Sequence, residues 1–269
     1  MTRQSIIRFW FGIILPCMIM SLSCAPSARR QSPLNPPVSG FNLSASDAKA
    51  IAIADEVMEK LGGRENWDKT RYITWKFFGR RLHVWDKWTG DARIESKNLI
   101  ILVNVNSKSG RAWKDGQEIT HADSLKLELE KGYAFWVNDS YWMFMPFKLK
   151  DSGVTLKYRG EGMMADSSAA DILELTFENV GLTPENKYLV YVDKTTRLVG
   201  QWDFFESATD STPGMSTPWK NWQKFGTILL SNDRGRGKHS DLAVFDELPP
   251  SVFQSPEPVN FQGMTKKAE

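Results

Sequence analysis

The chain has 269 residues, 34 Lys and Arg against 32 Asp and Glu, a mean hydropathy of −0.38 and two cysteines. Residues 1–23 hold Arg3 and Arg8 and no acidic residue, so the remainder carries 32 basic and 32 acidic side chains. A neutral body gives no electrostatic reason to expect nucleic acid as a partner. Cys17 and Cys24 both lie at the N-terminus, which leaves the rest of the chain without thiolate chemistry or disulfides.

The N-terminus reads as an export signal. Arg3 and Arg8 precede Phe9 to Met20, in which every position is apolar, Gly or Pro, too short for the ~20 residues of a membrane span. Ser21-Leu22-Ser23-Cys24 then supplies small residues before a cysteine, with Ser21 and Leu22 in reverse order from the usual lipobox. The expectation is a signal peptide over 1–23 and lipidation at Cys24, giving a membrane-anchored lipoprotein of the cell envelope on its periplasmic or outer-membrane face. An uncut N-terminal anchor, or cleavage by the general signal peptidase, are the alternatives. Residues 24–43, rich in Pro and Ser, read as a disordered tether. Residues 44–269 suit a single domain.

Within that domain Ser44 to Gly62 has helical spacing (Ala48, Ile51, Val57, Met58, Leu61), Ser46 as N-cap and Gly62-Gly63 as stop. Arg71 to Phe78 alternates, with Ile73, Trp75 and Phe77 on one face. Strands follow at Arg81 to Trp88, Ala92 to Glu95, Asn98 to Asn104 and Arg111 to Lys114, separated by turn residues as in an antiparallel meander. From Asp123 the period becomes helical, with Leu125, Leu129, Tyr133 and Trp136 on one face and an expected end near Asn138-Asp139. The apolar run Tyr141 to Phe147 comes next. Strands resume at Val154 to Tyr158, Ile172 to Phe177, Tyr188 to Asp193, Leu198 to Phe205, Thr227 to Leu230 and Leu242 to Phe245. Pro213 to Pro218 reads as a loop, 232–240 as a basic turn, and the segment after Leu248 as an extended strap. This pattern predicts an α+β fold: a single strongly curved antiparallel sheet, an unclosed half-barrel, with helices covering the concave face.

No catalytic constellation stands out. His83, His121 and His239 lack metal-ligand spacing and read as surface residues. There is no Gly-x-Ser-x-Gly. Gly235 to Ser240 fails as a phosphate loop, because His239 follows Lys238 and Asn232 stands where the first glycine belongs. Asp86, Asp91, Glu95, Asp203 and Glu206 could pair as general acid and base, but they sit among Lys and Arg and read as solvated. The same reading covers Arg80-Arg81 and Arg234, Arg236 and Lys238, which could otherwise touch anionic lipid.

The order of elements, the helix ending in Gly62-Gly63 before the first strand, the Asn98 to Trp113 hairpins and the closing Leu248-Pro249-Pro250-Ser251-Val252-Phe253 resemble the LolA-like and LppX-like lipoprotein carriers. The stretches GGRENWDKTRYITWKFFGRRLHVWDKWTGD and YWMFMPFKLKDSGVTLKY are similar to uncharacterised envelope lipoproteins of the Bacteroidetes type. The resemblance implies a half-barrel with an apolar cavity for acyl chains. With eleven Trp and fifteen Phe, the expected function is non-enzymatic binding of a lipid acyl chain or other apolar ligand, lined by Ile73, Trp75, Phe77, Trp142, Phe144, Met145 and Phe147, with no cofactor and no metal. A structural or protein-interaction lipoprotein whose aromatics fill a solid core, and a hydrolase on envelope polymers, remain the rival readings.

Overall fold

The computed structural model describes residues 35–262 together with Met1 and Met264. The expected signal peptide, Cys24 and the tether up to residue 34 lie outside the described residues. Within the rest of the expected tether two residues pack on the domain: Asn35 is buried, its side chain donates to the Asp55 carbonyl and accepts from the Arg64 N–H, and Phe41 joins the core.

Fourteen strands form among the described residues, with three α-helices. A seven-stranded sheet holds β1 (Tyr72–Phe77), β2 (Arg81–Asp86), β3 (Asp91–Ser96), β4 (Leu99–Asn104), β5 (Gly110–Lys114), β6 (Gln117–Glu118) and β14 (Ser240–Phe245) in the order β14-β1-β2-β3-β4-β5-β6. A five-stranded sheet holds β7 (Val154–Met163), β8 (Ala169–Phe177), β9 (Lys187–Asp193), β10 (Val199–Phe205) and β11 (Met215–Pro218) in the order β11-β10-β9-β8-β7. The hairpin of β12 (Lys220–Phe225) and β13 (Ile228–Asp233) completes the set. All pairings are antiparallel and the sheets stay unclosed, so the α+β half-barrel is present, with its hydrogen bonding divided into three runs.

The helices are α1 (Ala48–Lys60), α2 (Arg64–Lys69) and α3 (Ala122–Phe144). α1 stops where expected, since Gly62 and Gly63 both take left-handed φ and a Cβ on Gly62 would stand 2.3 Å from the Thr227 carbonyl. Its N-cap position is Asp47 rather than Ser46. Both side chains are engaged elsewhere: Ser46 Oγ accepts from Leu156 N–H and the Asp47 carboxylate from Tyr158 N–H. With Asn42 N–H on the Val154 carbonyl, these bonds cover the outer edge of β7, which would otherwise present open backbone groups. Met215–Pro218, expected as loop, is instead the edge strand beside β10, where Pro218 costs no ladder bond.

α3 runs past Asn138-Asp139 to Phe144 and lies on the inner face of β3, β4 and β5. It approaches closely because it presents Gly132, where a Cβ would stand 2.7 Å from Ile101 Cγ2. One apolar cluster joins both large sheets and the helices, drawing Ile73, Trp75 and Phe77 from β1, Ile94 and Ile101 from β3 and β4, and Leu156, Leu173, Val190 and Trp202 from the smaller sheet. A second, smaller cluster lies on the opposite face of β1 and β2, where Tyr72, Val84, Phe245, Leu248 and Val252 pack beneath the C-terminal strap. The sheet is therefore covered on both faces at this end, which is why β2 offers buried residues at consecutive positions.

Candidate functional site

The seven residues expected to line a cavity divide. Ile73, Trp75, Phe77, Phe144, Met145 and Phe147 are buried in the main cluster. Phe144 meets Trp67, Trp75 and Trp85, and Phe147 stacks on Trp67 with centroids 4.2 Å apart. Trp142 alone among them reaches an open cleft, while its ring packs edge-on against Trp202 at 5.0 Å.

That cleft has a volume of about 360 Å³, within the roughly 300–1,000 Å³ typical of small-molecule sites. One wall is the flank of α3 and the 3-10 turn after it (Tyr133, Trp136, Val137, Tyr141, Trp142). The other is Phe177 of β8, Tyr188 of β9 and the connecting loop with Val180 and Leu182. Tyr141 bridges the walls, with ring centroids 5.3 Å from Tyr188 and 6.1 Å from Phe177. Burial raises the pKa of both tyrosines, Tyr141 well above the ordinary phenol value, so both stay neutral. The rim cation Lys148 is paired with Asp151 at 2.8 Å. The arrangement is an aromatic, charge-compensated groove. Trp136 Nε1–H and the Tyr141 hydroxyl are buried there without hydrogen-bond partners. Sequence reasoning placed Tyr133 and Trp136 on the packed helix face and missed them as cleft residues. Helical spacing carries no signal that separates them, since Trp136 falls on the same line as the buried Leu129, Gly132, Asp139 and Met143.

Beneath the cleft the core is polar in places. Asp139, on the buried line of α3, accepts from Arg81 through both carboxylate oxygens (2.7 and 2.8 Å) and from His83 Nε2 at 2.7 Å. His83 is itself fully buried and stacked on Trp75. His239 is buried against Phe78, and its ring nitrogens have no partner of good geometry. These two histidines are not the surface residues the sequence suggested, because both faces of this sheet end are covered; His121 is exposed. Arg234 is also buried rather than solvated. Its guanidinium lies 3.6 Å over Trp219 and donates to the carbonyls of Trp142 and Ser231. Desolvation brings its pKa down to about 9, so it stays charged at neutral pH.

The candidate carboxylates do not assemble a catalytic pair. Asp86 is buried, accepting from Arg71 and the backbone of Trp88. Asp203 is buried on the five-stranded sheet, accepting from Tyr191, Gln201 and Ser216. Each stitches strands together instead of standing in solvent. No group of three or more His, Cys, Asp or Glu able to hold a metal occurs among the described residues.

The buried histidines fix an acid limb. Desolvation depresses His83 and brings His239 down to about 3, below the unfolded value near 6.5, while Asp139 is held below the ordinary carboxylate range by His83 and Arg81 against the cost of burial. In each case the unfolded chain binds protons first, so stability falls as pH falls. From about pH 6.5 the unfolding free energy should drop by up to about 1.4 kcal/mol per pH unit for each neutral buried histidine. His239→Phe should flatten this limb in urea titrations at pH 7, 5 and 4; an unchanged slope would refute the assignment.

No protein-family model matches the chain, and no curated protein matches it. Among solved structures it is similar to a DUF1329 family protein from Desulfovibrio piger, at 13% identity over 77% of this chain and 97% of that one, TM-score 0.41. It is also similar to a LolA superfamily protein from Nitrosomonas europaea, at 12% identity over 74% of this chain and 96% of that one, TM-score 0.32. Among the described residues no helix is long and apolar enough to cross a membrane.

Proposed function

We propose that the chain is a non-enzymatic envelope lipoprotein, anchored through Cys24, that holds an acyl chain or other uncharged apolar ligand in the cleft between α3 and the β8–β9 edge. The observation that carries the reading is the cleft itself: aromatic and aliphatic walls and a single compensated ion pair. Binding would be driven by desolvation, at ~0.8 kcal/mol per methylene buried. The anchor keeps the ligand at one membrane. The site residues are Trp142 with Tyr133, Trp136, Val137, Tyr141, Phe177 and Tyr188, while Ile73, Trp75, Phe77, Phe144, Met145 and Phe147 lie in the buried core.

Val137→Trp places an indole in the cleft from a half-buried helix position. It should weaken binding of a fluorescent naphthylamine probe by about tenfold or more, equivalent to ~1.4 kcal/mol, with the melting temperature nearly unchanged. Equal probe binding by both proteins would refute the cleft assignment. The anchor is tested separately: palmitate labelling should vanish in Cys24→Ala, and labelling that persists would refute lipidation there. Burial of those six residues in the core favours a second reading, a structural lipoprotein with a filled core, which predicts no probe binding by the unmodified protein.

A further inference from the structure

A second pocket, of about 950 Å³, opens on the opposite face of the seven-stranded sheet, between β14-β1-β2 and the C-terminal segment. Its floor is apolar, with Leu82, Ala243 and Phe245 from the strands and Phe261 stacked on Phe245 at 5.6 Å. Thr74 also lines it, 2% exposed, and its Oγ1 is buried without a hydrogen-bond partner. Such a group in an otherwise paired sheet points to a missing partner. Lys76, Arg80 and Lys97 stand around the same pocket, and none has an ion-pair partner among the described residues. Of the two carboxylates there, Glu95 is held by Arg93 at 2.5 Å, which leaves Asp241 as the only opposing charge not held by a cation.

An apolar floor, an unsatisfied hydroxyl and a surplus of unpaired cations are complementary to one class of molecule. We propose that this pocket binds a single-chain amphiphile with an anionic head, carboxylate or phosphate. The acyl body lies on Ala243, Phe245 and Phe261, and Lys76, Arg80 and Lys97 hold the head. The charge-compensated cleft between α3 and the β8–β9 edge selects for the opposite property, so the two sites take different ligands.

The test is photo-crosslinking of the full chain with a diazirine-bearing lysophosphatidylglycerol below its micellar concentration, followed by peptide mapping. Adducts are expected on 241–245 and 259–262. The Lys76→Ala/Arg80→Ala/Lys97→Ala variant, altered at partly or fully exposed positions, should lower them by about tenfold, equivalent to ~1.4 kcal/mol, while adducts at the α3 cleft stay unchanged. An uncharged monoacylglycerol probe should label these peptides about tenfold less, and Thr74→Val should lower labelling without unfolding the sheet. Unlabelled groove peptides, equal labelling in the triple variant, or equal labelling by the uncharged probe would overturn the proposal. Complete displacement by excess inorganic phosphate would do so too, assigning the pocket to the free anion. Adducts at the cleft report on the function proposed above, so failure of either site is read independently.

Discussion

Asp139→Ala is expected to lower the unfolding free energy by about 3–5 kcal/mol, the cost of breaking a buried ion pair by removing one partner. The carboxylate is fully buried and takes four hydrogen bonds, two from Arg81 and one each from His83 and the Asn138 side chain. Its loss strands a largely buried guanidinium and a fully buried imidazole beneath α3. Asp139→Asn keeps the shape but not the charge, and should recover only part of the loss. The discriminating variant replaces all three groups, Arg81→Met/His83→Leu/Asp139→Leu, and should lie well above Asp139→Ala because no uncompensated charge remains. Urea unfolding at pH 7 measures each. A loss below about 1 kcal/mol for Asp139→Ala, the range of an exposed pair, would show that the network does not hold α3 to β2.

The second large effect belongs to Arg93, which is fully buried on the face of β3 that the strap covers. Its guanidinium donates to four strap carbonyls, those of Val252 (3.2 Å), Ser255 (2.6 Å), Pro256 (3.2 Å) and Glu257 (2.8 Å), and its Nε to Glu95. Pro256 and Pro258 remove two backbone donors from this segment, which joins no sheet, and one planar side chain satisfies its carbonyls instead. Arg93→Ala should therefore release the strap, at a cost of about 3 kcal/mol, since several charge-assisted hydrogen bonds worth ~1.5–3 kcal/mol each are exchanged for hydration of the freed carbonyls. Limited proteolysis should cut at 254–262 far faster while the α3 region keeps its hydrogen-exchange protection. Arg93→Lys should rescue little, since one ammonium cannot span four carbonyls. Unchanged proteolysis of the strap in Arg93→Ala would contradict this account.

Much of the architecture was legible because local periodicity and tertiary burial agree. β1 alternates Ile73, Trp75 and Phe77 inward, and the structure buries those three in the main cluster while Tyr72 joins the second one. The helix stop at Gly62-Gly63 was readable because left-handed backbone there has no alternative residue. What escaped depended on partners distant in sequence. Asn138-Asp139 looks like a helix end by propensity, yet Arg81 and His83, more than fifty residues earlier, supply what the carboxylate would otherwise seek in a turn. His239 and Arg234 look solvated in a basic, Gly-rich loop until that loop folds onto Phe78 and Trp219. The cleft was half legible: an aromatic helix flank is visible in sequence, but Phe177 and Tyr188 face it only because β8 and β9 pair in the register that sets Leu175 beside Tyr188.

The central claim is that the cleft between α3 and the β8–β9 edge holds an uncharged apolar ligand. Native mass spectrometry of the full chain, released from detergent in the gas phase, tests it most directly. The account predicts a co-purified species, extractable into organic solvent, that is retained by Cys24→Ala and lost in Val137→Trp. Repeated preparations that carry no such species and take up no added acyl ligand, or a species carried equally by Val137→Trp, would contradict it.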